Sequence, residues 1–267
     1  MKTMTEEKRF LADVGIRDFP LPMKVLSKAY PDGQPTVANI SVSARIMQEF
    51  EAGWIDRVSQ ILHRHRGTIS TKALGQNIGD YIRELNATMV RIDFDYPFFV
   101  EKTTPVSKEK CKTRYLCTYS AKITSVESVK VLFKISIPVI TTYPASFFND
   151  EQKGLFGQIS TVVVETESNR DIYPEDLIDI ADRHSLVPLY SFLTDEDQRF
   201  VVRKIHSERK DSVVMLDEIK EELSRIESLE WFAVHCLNYG MLHSYSTVIA
   251  NEKAMWFHGS GFGDSSV

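Results

Sequence analysis

Val131-Leu132-Phe133-Lys134-Ile135-Ser136-Ile137-Pro138-Val139-Ile140-Thr141-Thr142-Tyr143-Pro144-Ala145-Ser146 decides how this chain is read. Val131, Phe133, Ile135, Ile137 and Val139 fall at every second position, the period of a strand with one buried face. The run then turns polar and ends in two threonines, a tyrosine and a serine, so the strand delivers hydroxyl groups to whatever lies beyond it. Working back toward the N-terminus, the same period recurs in Val90, Ile92, Phe94, Tyr96 and Phe98, with Arg91, Asp93 and Asp95 facing the other way. It recurs again in Ala38, Ile40, Val42, Ala44 and Ile46, and in Tyr115, Cys117, Tyr119, Ala121 and Ile123. Asp18 to Val25, with Pro20 and Pro22, reads as an edge strand, because proline lacks the ladder donor. Pro31-Asp32-Gly33 is a turn.

Between these strands the period lengthens. Trp54, Val58, Ile61, Leu62 and His65 share one helical face, and Leu74, Ile78, Tyr81, Ile82 and Leu85 mark a second helix. The C-terminal half shows a related order: a β-rich run over residues 158–166, and a helix beginning near Pro174 with Leu177, Ile178 and Ala181. A longer helix follows through Val213, Leu216, Ile219, Glu222, Leu223 and Ile226, then strands over 230–239 and 243–251. Strand-strand-helix-helix-strand-strand therefore occurs twice, over residues 1–127 and 128–252, with a glycine-rich tail over 253–267. This order predicts an α+β fold of antiparallel sheets with helices on one face, whose open edges favour a homo-oligomer, a dimer or tetramer.

Composition narrows the function classes. A chain of 267 residues, 43% hydrophobic and 26% charged, can bury a full core. A formal charge of -5 gives no electrostatic footprint for nucleic acid or an anionic membrane. The residues at the start carry no apolar signal core, and the run from Val131 to Ile140 is too short to span a bilayer, so a cytoplasmic location is expected. Cys111 and Cys117, about 20 Å apart along an extended strand, cannot pair, and no Cys/His spacing of a structural zinc knuckle occurs.

The residues also resemble a known family. Arg91-Ile92-Asp93-Phe94-Asp95-Tyr96-Pro97-Phe98-Phe99-Val100-Glu101-Lys102-Thr103-Thr104-Pro105-Val106-Ser107-Lys108 is similar to the R-I-x-x-x-[FY]-P-F-F-x-x-K-x-x-P-V-S-K segment of GTP cyclohydrolase IB. Val14 to Pro22 resembles that family's opening strand. The resemblance runs from about residue 13 to 252 and implies tandem tunnel-fold units. It also implies where the site lies. The family's P-V-T-x-L-C-P-C-S motif aligns with 138–146 and places Tyr143 at the metal-binding cysteine and Ala145 at the second cysteine. Its H-N-Q-R motif falls on Leu155-Phe156-Gly157-Gln158, and its V-T-E on Val201-Val202-Arg203. A Lys-Arg pair becomes Thr194-Asp195, and E-N-x-E-S-I-H-N-H becomes Leu237 to Tyr245, keeping Asn238 and His243. H-M-S-R becomes Trp54-Ile55-Asp56-Arg57, keeping the arginine.

The resemblance thus yields an expected site with no metal ligand set and no cofactor. Tyr143, His243 and Arg203 are the candidate catalytic groups. Arg57, Thr141, Thr142, Ser146, Gln158 and Asn238 are the candidate contacts to a small-molecule ligand. A phenol or an imidazole can move protons without a metal, and a guanidinium can hold an anion bidentately. Plainer roles stand beside these: Tyr143 filling a vacated pocket, Arg203 solvated, the hydroxyls bonding the backbone. A chain that binds without chemistry, or one that keeps GTP hydrolysis with displaced ligands, are the other expectations.

Overall fold

The computed structural model describes residues 12–46, 53–125, 128–143, 156–240 and 244–252. Its elements run β1 (Ala12–Val25), β2 (Gln34–Ile46), α1 (Gly53–Arg64), β3 (Thr68–Ile69), α2 (Thr71–Leu85), β4 (Ala87–Thr103) and β5 (Lys110–Thr124). Then come β6 (Lys130–Thr142), β7 (Gly157–Ser168), α3 (Pro174–His184), β8 (Val187–Pro188), α4 (Asp195–Ser207), α5 (Ser212–Leu223), β9 (Leu229–Tyr239) and β10 (Ser246–Glu252). The described residues gather into two compact units. One takes residues up to Tyr96 together with Thr118–Leu132, the other Pro97–Cys117 and Phe133 onward, so β4 and β5 each contribute to both.

In the first unit β1 and β2 pair antiparallel from Ala12↔Ile46 to Val25↔Gln34, with an irregularity between Ile16 and Phe19. Asp18 sits inside that irregularity in the left-handed region, at φ 54. Gly15 lies so close to the facing strand that a Cβ there would meet the Val42 carbonyl oxygen at 2.5 Å. The prolines do not make β1 an outer strand along its whole length, because β3 pairs parallel with Lys24 and Val25. The turn read from Pro31-Asp32-Gly33 closes with Gly33 at φ 86 and its N–H donating to the Tyr30 carbonyl. β4 joins the other side of β2. α1 buries Trp54, Val58, Ile61 and Leu62, and α2 buries Leu74, Ile78, Tyr81 and Leu85, the stripes their 3.6-residue spacing predicts. α2 starts on the Ser70 hydroxyl, which accepts from the Ala73 N–H, and stops at Asn86 in the left-handed conformation.

In the second unit β6, β7, β9 and β10 lie side by side in that order, and β8 pairs with β6 through Val139↔Pro188 and Ile140↔Val187. Phe133, Ile135, Ile137 and Val139 are all buried, with Val162, Val164, Val234 and Cys236 beside them. α3 and α5 cover this face with Leu177, Ile178, Ala181, Met215, Leu216 and Ile219. Helix α4 was not foreseen. It buries only Asp197 and Val201, so it carries no apolar stripe for periodicity to find. Its mark in the sequence is the capping box Thr194-Asp195-Glu196-Asp197. Among the described residues no helix is long and apolar enough to cross a membrane.

Candidate functional site at the end of the sixth strand

The inward face of β6 carries its alternation past Val139 to Thr141, which is wholly buried. A buried hydroxyl needs a partner, and here the neighbouring strands supply it. Thr141 Oγ1 shares a hydrogen bond of 2.8 Å with Ser160 Oγ and accepts one of 3.2 Å from Gln158 Nε2. Ser160 Oγ donates to Asn238 Oδ1 at 2.7 Å, and Asn238 Nδ2 donates to Ser212 Oγ at 3.1 Å, at the first residue of α5. Cys236 Sγ adds a weaker bond to the same Asn238 oxygen at 3.4 Å. Burial pushes the Cys236 thiol up to about 12, so it serves as a neutral donor. Three of the residues read as ligand contacts, Thr141, Gln158 and Asn238, are thus drawn into one network that satisfies its own members. Thr142 faces the other way and is clamped to the segment before α5. Its N–H donates to the Lys210 carbonyl at 2.8 Å, and its Oγ1 accepts the Lys210 N–H at 2.7 Å.

Tyr143 caps this strand end. Its N–H donates to the Phe156 carbonyl at 2.6 Å, and the half-buried ring lies beside the end of β9. A Cβ built on Gly240 would stand 3.5 Å from Tyr143 Cε2, an ordinary contact. Gly157 has a sharper need for its missing side chain. A Cβ there would meet Cγ2 of Ile205 at 3.0 Å and Cγ2 of Ile140 at 3.1 Å, so glycine lets α4 approach β6 and β7. The exposed ring of Phe156 meets His206 edge-on, with centroids 6.2 Å apart.

Arg203 lies on the exposed side of α4, where its Nε donates to the Arg199 carbonyl. Arg57 belongs to the first unit, on α1, with its Nε donating to the Gly53 carbonyl. Ser146 and His243 lie outside the described residues. Tyr143, Thr141, Gln158, Asn238 and the end of α4 therefore form one corner.

Two features that hold this unit together were missed. Asp197, fully buried, accepts five hydrogen bonds: from the Val106 and Ser107 N–H groups, the Ser107 hydroxyl, and the Thr194 N–H and hydroxyl. Burial alone would raise its carboxyl, but these donors outweigh burial and hold it far below the usual carboxylate range. They also tie α4 to the Pro-Val-Ser-Lys segment, in which Lys108 stands at φ 61. Lys102, 9% exposed, reaches Asp182 at 2.6 Å and the Leu189 carbonyl at 3.3 Å, with its ammonium over the rings of Tyr115 and Tyr190. Burial raises the Asp182 carboxyl even though Lys102 opposes it. The signal for both was the Lys102 to Lys108 segment itself, whose polar residues serve the interior.

As chemistry, the corner offers a phenol at a strand end, the C-terminal turns of α4 with Arg203 on their exposed side, and a saturated polar floor. Among the described residues no group of three or more His, Cys, Asp and Glu is placed to hold a metal ion.

With this geometry in hand, comparison with known proteins places the chain. The family described as type I GTP cyclohydrolase folE2 matches residues 2–249. GTP cyclohydrolase FolE2 of Geobacter sp. strain M21 is 28% identical over 244 residues, 91% of this chain and 90% of that protein. GTP cyclohydrolase FolE2 of Geobacter sulfurreducens is 24% identical over 254 residues, 95% and 97% of the two chains. Among solved structures, urate oxidase from Bacillus sp. TB-90 superposes with a TM-score of 0.56 at 9% identity, covering 91% of this chain and all of that one. The uricase from Bacillus fastidious gives 0.56 at 11% identity, over 90% and 93%. At such identities the likeness speaks for the fold alone, a mixed α+β architecture of the tunnel-fold kind. The chain belongs to the type I GTP cyclohydrolase folE2 family.

Proposed function

We propose that this family member is a repurposed, metal-independent enzyme that acts on a small cyclic or anionic metabolite at the Tyr143 corner. The observation that carries the reading is the half-buried Tyr143, a phenol standing where the family motif has a metal-binding cysteine. Leu155 and Arg203 stand at the other two ligand positions of the motif. A phenol, an alkyl group and a permanently charged guanidinium do not fit a zinc ion. What the corner retains is a proton carrier, Tyr143, and a cation on α4. The reading includes His243 and Arg57 as further site groups, a cytoplasmic homo-oligomer, and tandem tunnel-fold units divided near residue 127. The order β1-β2-α1-β3-α2-β4-β5 followed by β6-β7-α3-β8-α4-α5-β9-β10 supports that division when the two-residue strands β3 and β8 and the extra helix α4 are set aside as additions to the repeated unit.

A substrate screen with the full chain tests the reading, read out as turnover with and without chelator. Tyr143→Phe and Arg203→Ala are expected to lose turnover while keeping the wild-type melting curve. Wild-type rates in both variants would remove the assigned roles.

A second reading, binding without chemistry, is favoured by the self-satisfied network of Thr141, Ser160, Gln158 and Asn238. Saturated groups of this kind shape a pocket but do not act on its contents. Robust turnover of any substrate by the pure protein excludes it. The relatives are named GTP cyclohydrolases, so GTP with added zinc or manganese belongs in the same screen. Metal-dependent GTP turnover there would replace the metal-independent reading.

A further inference from the structure

A cleft of about 640 Å3 opens between α3 and the end of α5, a volume in the range of small-molecule sites. Asp171, Asp176, Asp179, Asp182 and Glu222 line it, against the one guanidinium of Arg183, which Glu222 already holds at 2.6 Å. Ile172, Ile180 and Ile226 supply an apolar wall. Helical spacing produces this mixture. Asp176, Asp179 and Asp182 stand three residues apart, about 4.5 Å each along α3, and Ile180 follows Asp176 by four, on a shared face.

The inner end of the cleft holds two polar atoms without a partner. Asp182 uses Oδ2 on Lys102 at 2.6 Å, but its Oδ1, shut off from solvent, has no hydrogen-bond partner. Tyr115 is 1% exposed, and its hydroxyl is likewise buried and unpartnered. The Lys102 ammonium that holds Asp182 lies over the Tyr115 ring. Burial first, then the charges of Asp182 and Asp179, push the Tyr115 hydroxyl upward, so it stays protonated and faces two carboxylates of the cleft. A buried acceptor and a buried donor without partners mark a site that a ligand completes. Among the described residues no group of three or more His, Cys, Asp and Glu is placed to hold a metal ion, and isoleucine walls suit hydrocarbon. The chemistry therefore favours an organic cation over a bare ion.

We propose that this cleft binds a linear polyamine, its carbon chain on Ile172, Ile180 and Ile226 and one ammonium group donating to Asp182 Oδ1. The carboxylates of Asp171, Asp176 and Asp179 take the remaining amines, whose charges recur along a flexible chain as the carboxylates recur along the helix. None of these residues belongs to the Tyr143 corner, so the proposal stands or falls apart from the reading of that site.

Calorimetric titration of the full chain with spermidine at low salt tests it, together with methyl NMR of isoleucine-labelled protein. Wild type is expected to bind a single spermidine per chain, with shifts concentrated on Ile172, Ile180 and Ile226. Asp171→Asn/Asp179→Asn should bind about tenfold more weakly with an unchanged melting curve. Asp13→Asn, which removes an exposed carboxylate paired to Arg45 in the first unit, should bind as wild type does. No binding by wild type overturns the proposal, as does equal binding by the double variant, or a loss matched by Asp13→Asn. Shifts at isoleucines outside the cleft, in place of these three, overturn it as well, and this readout needs no variant to fold. Displacement of spermidine by an equal concentration of magnesium chloride overturns it in favour of a metal ion or general charge screening.

Discussion

Replacing Asn238 with alanine removes the hub of the buried network beneath Tyr143. The side chain makes three hydrogen bonds, with Ser160, Ser212 and Cys236. After truncation Ser160 still has Thr141 as a partner, so the orphaned groups are the Ser212 hydroxyl and the weak thiol donor. A buried polar group left without a partner costs about 1–3 kcal/mol. The space vacated by the amide adds to that cost, and a total of about 3 kcal/mol follows. For a chain of this size that is a fall in Tm of roughly 6–12 °C. Denaturant unfolding of wild type, Asn238→Ala, Ser160→Ala and the double variant measures it, with a predicted coupling between the two sites of about 1 kcal/mol. A loss under about 0.5 kcal/mol, or strict additivity, would show that the network is not the structural floor described here.

Lys102→Met leaves Asp182 buried without its cation and should cost about 3–5 kcal/mol, while Lys102→Met/Asp182→Leu should be less damaged than the single change; chemical denaturation ranks the two. Gly157→Val drives new methyl groups into Ile205 and Ile140, a cost of about 1–3 kcal/mol from overpacking, seen as a lower Tm and faster proteolysis near α4. Stability should fall on acidification. Among the described residues six carboxyls are lowered in the fold: Asp197 by its five donors against burial, Glu218 by Lys210 and then His184, Glu222 by His184 and Arg183 against burial, and Asp13, Asp80 and Glu101 by their partners Arg45, Arg83 and Lys110. Each contributes stability that is present above the unfolded carboxylate range and lost as pH falls through its depressed folded value. Asp182, raised by burial, works in reverse, its share being present at low pH and lost as pH rises. Six against one predicts a Tm that drops below about pH 4, with a shallower drop in Asp197→Asn; a Tm flat from pH 6 to about pH 3 contradicts it.

Much of the fold was legible because burial writes a period into the chain. Val131 to Val139 and Val90 to Phe98 alternate without a break, and the α1 and α2 stripes keep helical spacing over about two and three turns. β3 and β8 were not legible, since two residues carry no period. Helix α4 was not either, because a capping box and one buried carboxylate hold it in place of an apolar stripe. The hydroxyl-rich end of β6 was legible, but the partners of those hydroxyls were not. Thr141, Ser160 and Asn238 are 19 and 78 residues apart along the chain, and a hydroxyl bonded to a neighbour looks the same in sequence as one awaiting a ligand. The Lys102–Asp182 pair was hidden for the same reason, its two members standing on β4 and α3, far apart along the chain.

The proposed reading has the Tyr143 corner work without a bound zinc ion. Metal content of the full chain, equilibrated with zinc and manganese and then freed of loose ions, tests it most directly. The prediction is far less than one ion per chain, unchanged in Tyr143→Phe and Arg203→Ala; one tightly held ion per chain, lost in Tyr143→Phe, would contradict it.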